Sequence, residues 1–168
     1  RLLGKWDGLY DYLGAMGGRL YFKTTQGAAR GRVIAVDPVT ASVSEVVPEA
    51  PQTLAEASLV GGHVIARYLA DARARVVVYR ADGTRRGEVP LPGSGDVLGF
   101  PDAPDEAETF FAYTDYLTPL ALYRYDLAKD EGSLYRKPTV SFDASPFVTE
   151  QVFYASKDGT RVPMFITR

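Results

Sequence analysis

A chain of 168 residues with 46% hydrophobic and 24% charged residues has the makeup of a globular protein, and its 12% aromatics lean it toward β structure. Nineteen Lys and Arg against twenty-one Asp and Glu leave a net charge of −2, which provides no basic patch for a nucleic-acid backbone. With zero Cys there is no disulfide framework or thiolate metal site, and no apolar run is long enough to span a bilayer.

Residues 1–8 read as a polar lead-in holding the only tryptophan, Trp6; they lack the apolar core of a signal peptide, and a first residue other than Met points to a processed or excised piece. Strand-like segments then follow at short intervals. The first four are Tyr10 to Leu13, Arg19 to Thr25, Gly31 to Asp37 and Ser42 to Val47, with Gly17-Gly18, Gln26-Gly27 and Asp37-Pro38 as breaks. The next four, Leu54 to Val60, His63 to Ala70, Arg75 to Arg80 and Arg85 to Pro90, are joined by Gly61-Gly62, a polar link and Asp82-Gly83, which supply the positive φ of tight hairpins. Asp96 to Phe100, Glu108 to Thr114, Leu120 to Asp126 and Ser133 to Lys137 complete a third set.

The sets repeat. Tyr21, Ile65 and Phe110 lie 44 and 45 apart, Asp37, Asp82 and Asp126 lie 45 and 44 apart, and the glycine pairs at 17 and 61 differ by 44. Four strands recurring near every 44 residues is the pattern of β-propeller blades, with a β-sandwich as the alternative. The expected fold is therefore all-β, a partial propeller of about three four-stranded antiparallel blades over residues 9–48, 54–92 and 96–138. Propellers close with about four to eight blades, so three form an open arc with bare faces at both ends, the expectation for part of something larger. Residues 139–147 read as a linker. Residues 148–168 carry two strands around Lys157-Asp158-Gly159-Thr160, a hairpin signal outside the repeat, with Val152, Tyr154, Val162 and Met164 or Phe165 expected on one core and Pro163 at an edge.

The stretch QVFYASKDGTRVPMFITR, Gln151 to Arg168, closely resembles the segment by which prolyl oligopeptidases pass from their propeller into an α/β-hydrolase domain. YDYLGAMGGRLYFKTT, the stretch Phe110 to Leu127 and SFDAS at Ser141 to Ser145 resemble late-propeller segments of the same family. The resemblance implies seven blades in all, a hairpin that opens the hydrolase domain, and a serine endopeptidase that cleaves short peptides after proline with the propeller gating a buried site. It implies no cofactor, and as partners proline-containing peptides, the remaining blades and the hydrolase domain, with no membrane and no nucleic acid. A cytoplasmic setting is expected, with the periplasm as the alternative. The family's catalytic Ser, Asp and His would all lie beyond Arg168, and no serine here sits in a G-x-S-x-G elbow. A non-catalytic scaffold propeller is the second reading.

Among individual residues, none is expected to be catalytic and no metal site is expected. His63, the only histidine, opens a strand and reads as structural. Asp102, Asp105, Glu106 and Glu108 lack the ligand alternation of a calcium loop and read as a solvated turn, marked by Pro101 and Pro104. Arg73 and Arg75 alternate on one strand face and, with Arg85 and Arg86, are able to attract an acidic surface, although such faces are usually just solvated. Phe110, Phe111, Tyr113, Tyr116, Tyr123 and Tyr125 read as packing between blades rather than a stacking site. The innermost strand of each blade lines the tunnel in this architecture, which makes Glu56, Ser58 and Asp96 candidate tunnel-lining, substrate-facing residues.

Overall fold

The structure, a computed structural model, describes Gly4 and residues 7–168; of the expected lead-in, Trp6 and residues 1–3 and 5 lie outside the described residues. Three four-stranded antiparallel sheets follow one another along the chain, each with its strands side by side in sequence order. The first holds β1 (Tyr10–Met16), β2 (Arg19–Thr24), β3 (Arg32–Val36) and β4 (Val43–Val47). The second holds β5 (Thr53–Val60), β6 (His63–Ala70), β7 (Arg73–Arg80) and β8 (Arg85–Glu88), and the third β9 (Asp96–Gly99), β10 (Glu108–Thr114), β11 (Ala121–Asp126) and β12 (Glu131–Arg136). A separate hairpin, β13 (Thr149–Ala155) with β14 (Arg161–Thr167), ends the chain.

Short turns set this meander. Gly17-Gly18 and Gly61-Gly62 both take positive φ at both positions, the requirement of a two-residue hairpin that keeps the strand twist. Asp37, Asp82, Asp126 and Asp158 each accept backbone N–H groups two or three residues on, closing the turns through their side chains.

The middle sheet explains why the three pack in series. Alternation along β6 sends Val64, Ala66 and Tyr68 to one face and Ile65 to the other. The first face joins Val77, Leu59 and Leu54 in a core shared with Leu13, Tyr21, Val33 and Val47 of the first sheet. The second joins Val76 and Val78 in a core shared with Val97, Phe111, Tyr113 and Tyr125 of the third. A sheet buried on both faces needs a neighbour on each side, as β6 and β7 show. The outward face of the third sheet, by contrast, leaves Leu98 and Leu122 exposed.

Polar links stitch the seams. Leu54 N–H donates to Arg30 O across the first. Across the second, the 101–107 segment lies against the β5–β6 turn: Ala103 N–H donates to Leu59 O, Gly61 N–H to Ala103 O, and Gly62 N–H to Pro104 O. Asp102 accepts the Leu59 N–H at 2.8 Å. The acidic run is thus not a free solvated turn, because its backbone spends its hydrogen bonds on the neighbouring sheet; Asp105 and Glu106 remain exposed, and Glu108 pairs with Arg124.

The hairpin decides between Met164 and Phe165 for the shared face. Val152 pairs with Met164 and Tyr154 with Val162, so these four share one face, but it is an open one, with Tyr154 and Met164 exposed. Phe165, one register step along, points the other way and packs on Tyr116 with ring centroids 5.2 Å apart.

Candidate functional site

The first strands of the three sheets, β1, β5 and β9, occupy equivalent edges, and each carries a carboxylate near its start: Asp11, Glu56 and Asp96. A bulge between Leu54 and Glu56 sets Glu56 opposite Arg67 on β6 and leaves Ala55 out of register. Arg67 is 12% exposed and grips Glu56 through two nitrogens, at 2.9 and 3.2 Å, while its remaining nitrogen reaches Asp96 of the next sheet at 3.2 Å. The guanidinium fork suits this three-way link, since its donors diverge in one plane.

The first sheet repeats the device with a lysine. Lys23 pairs with Asp11 at 2.9 Å and donates to the carbonyl of the bulged Ala55 across the seam, also at 2.9 Å. Lys23 and Arg67 lie 44 residues apart, one repeat; the next position is Ala112, which pairs with Leu98, so the third sheet lacks the strap. The cations are largely covered and the carboxylates about half exposed, so the edge presents negative charge to solvent. Of the residues expected to line a tunnel, the structure joins Glu56 and Asp96 through Arg67; Ser58 stands two positions along β5, opposite Ile65. Sequence reasoning missed Lys23 and Arg67, although a lone cation inside an apolar strand at the same place in two repeats was a readable signal.

A second polar cluster sits where the hairpin meets the sheets. Asp115 accepts Tyr113 OH at 2.7 Å and the N–H groups of Leu117 and Thr118 at 2.9 and 2.6 Å. Burial acts to raise the Asp115 pKa, but these bonds outweigh it and hold the carboxyl below its usual range. Tyr113 is pushed up, first by burial and then by the Asp115 carboxylate. Two adjoining clefts of about 230 and 260 Å³ flank the cluster, sharing Ser94, Asp115 and Phe165 in their walls. Gln151 of the hairpin donates to Asp71 O at 2.6 Å, in a turn whose Asp71 and Ala72 both take positive φ.

These parts do not assemble a hydrolytic triad. His63 Nδ1 lies 2.7 Å from Gly61 O at one end of β6, whereas Ser94 and Asp115 flank the far end, about 20 Å of strand away. Among the described residues no three of His, Asp and Glu gather to hold a metal ion. The aromatic group divides: Phe111, Tyr113, Tyr123 and Tyr125 belong to the seam of the second and third sheets, while Phe110 meets Tyr135 on the outer face and Tyr116 meets Phe165. The arginines are each engaged. Arg75 and Arg85 share Glu88, Arg86 donates to Leu127 O across the seam, and Arg73 holds the Ser94 hydroxyl.

Four-stranded meanders packed face to face in chain order are built as propeller blades are. A family described as prolyl oligopeptidase, N-terminal beta-propeller domain, matches residues 1–138, and the chain belongs to the prolyl oligopeptidase family. A prolyl endopeptidase of Elizabethkingia meningoseptica is 33% identical over 154 residues, which is 90% of this chain and 22% of that protein. Prolyl oligopeptidase dbiP of Dendrothele bispora is 30% identical, over 96% of this chain and 24% of its own. A chain solved in work on two prolyl endopeptidases and their inter-domain dynamics superposes with a TM-score of 0.86 at 36% identity, over 99% of this chain and 25% of its own. Prolyl oligopeptidase B of Galerina marginata, bound to a 25-residue macrocyclization substrate, superposes at 0.83 with 23% identity, over 99% of this chain and 24% of its own, a likeness of fold. The chain spans about a quarter of the length of these relatives.

Proposed function

We propose that these residues are the later blades of the seven-bladed propeller of a serine endopeptidase that cleaves short peptides after proline. Residues 139–147 serve as the linker and 148–168 as the first hairpin of an α/β-hydrolase domain. The observation that carries this reading is the likeness, at 36% identity and a TM-score of 0.86, to a prolyl endopeptidase chain four times longer. The open apolar face of Val152, Tyr154 and Met164 supports it, as a side on which the rest of the hydrolase domain would pack. So does the bare outward face of the third sheet, which would meet another blade. Relatives that are themselves peptidases favour the enzyme over a scaffold.

In this reading the segment carries no catalytic group. The nucleophile, its base and the orienting carboxylate lie in the hydrolase domain, and the blades exclude water and folded proteins from the cleavage site. Glu56, Ser58 and Asp96 stand on the tunnel-lining strand of their blades, Asp96 at the end where the hairpin docks and Ser58 farther along β5, and meet peptides on their way in. The enzyme needs no cofactor and works in the cytoplasm on proline-containing peptides.

The test uses the full native chain. It is expected to hydrolyse a chromogenic peptide after proline and to leave the same sequence intact inside a folded protein. Equal cleavage of both would refute the gate, and failure on every post-proline peptide would refute the activity. Replacing Glu56 and Asp96 together is expected to change turnover as a function of peptide length; identical length profiles would remove them from the tunnel.

A further inference from the structure

The outer half of the second sheet holds a groove that the peptidase reading leaves unused. β8 is only four residues long and ends at Glu88, so the first half of β7 faces not a strand but the 89–95 connection. Between them lies a cavity of about 360 Å³ with Arg73, Arg75 and Glu88 as its charged walls and the partly exposed Leu91 beside them, Val76 and Val89 being turned into the core.

The charges do not balance. Glu88 Oε1 takes both Arg75, whose Nε is 3.2 Å away, and Arg85. The hydrogen bond from Arg75, aided by the charge of both arginines against opposing burial, holds the Glu88 carboxyl below its usual range, so it is ionised at neutral pH. One carboxylate thus serves two guanidiniums. Arg73 is held at 3.2 Å by the Ser94 hydroxyl, a neutral partner that orients the guanidinium without neutralising it. The groove walls carry two cations against one anion that also holds Arg85 just outside them, an excess of positive charge on a chain whose net charge is −2. Asp71 sits in the preceding turn and does not line the groove.

Spacing turns the excess into a recognition element. Arg73 and Arg75 pair in register with Ala70 and Tyr68, so they leave the same face of β7, about 7 Å apart along the strand. An extended peptide presents alternate side chains with that same repeat. We infer that this groove binds an extended acidic peptide segment, with carboxylates at alternate positions meeting Arg73 and Arg75. The partner is a protein segment of Asp-x-Glu character, and the site is separate from the inner-strand edge that holds Arg67.

The experiment titrates the full native chain into a fluorescein-labelled, proline-free hexapeptide carrying Asp and Glu at alternate positions, read by fluorescence polarisation at low ionic strength. Saturable binding is expected, weakened about tenfold in Arg73→Gln/Arg75→Gln, at the scale of two partly exposed ion pairs. Arg73→Gln alone, which leaves Arg75 and Arg85 on Glu88, is expected to weaken it about threefold without altering the circular dichroism spectrum. Added salt is expected to weaken binding, and a peptide with Gln at both acidic positions is expected not to bind. No saturable binding at low salt, equal binding by the double variant, or equal binding of the Gln peptide would overturn the proposal.

Discussion

Gly61 and Gly17 make a matched pair for testing how the third sheet is fastened to the second. Both are the first residue of a two-glycine turn, with φ of 52° and 57°, so an alanine at either meets the same left-handed cost, about 1–2 kcal/mol. Their surroundings differ. A Cβ on Gly17 has nothing within 4 Å, whereas one on Gly61 would lie 2.7 Å from Glu106 O. To make room, the 101–107 segment must lift, and the bonds from Gly61 N–H to Ala103 O and Gly62 N–H to Pro104 O are at risk, each about 0.5–1.5 kcal/mol. Gly61→Ala should therefore cost about 1–3 kcal/mol more than Gly17→Ala. Urea unfolding of the full native chain gives the midpoints, and limited proteolysis within residues 101–107 gives an independent reading. Equal losses for the two variants, with the segment no more cleavable in Gly61→Ala, would refute the docking of this segment on the second sheet.

Ala72→Gly is expected to stabilise by about 0.5–1 kcal/mol in urea unfolding, because φ of +61° suits glycine and strains alanine. Arg67→Met, which leaves Glu56 and Asp96 unlinked and mutually repelling, is expected to cost about 1–2 kcal/mol, the half-exposed carboxylates limiting the loss; adding Asp96→Asn should recover part of it in a double-mutant cycle. The lowered Asp115 pKa contributes stability that is present above the ordinary carboxylate range and is lost as pH falls through the folded-state value. Asp115→Asn should therefore flatten the decline in melting temperature below about pH 4, and an unchanged decline would remove Asp115 as its source.

What was readable in advance was local. Strands such as Arg19–Thr24 and His63–Ala70, and the turns at Gly17-Gly18, Gly61-Gly62 and Asp82-Gly83, are set by alternation and by residues that accept positive φ, so they fell within a residue or two of expectation. The repeat near 44 followed because each sheet spends the same chain length. The links between sheets were not readable, because they join residues far apart in the chain: Asp102 to Leu59, Arg67 to Asp96, Gln151 to Asp71. The facing of Phe165 was open for a related reason. Parity within a hairpin follows from alternation, but which side meets a neighbour depends on Tyr116, in another sheet. Of the candidate site, Glu56 and Asp96 were picked out by position on their strands, while the cation joining them was passed over because a charged residue in a strand usually just faces water.

We propose that this arc of sheets belongs to a post-proline peptidase whose chemistry resides elsewhere in the full chain. The direct measurement is turnover of a chromogenic peptide with proline before the scissile bond, by the full native chain and by the 168-residue segment side by side. Turnover by the full chain alone is the predicted result. Hydrolysis by the isolated segment, or none by the full chain, would contradict it.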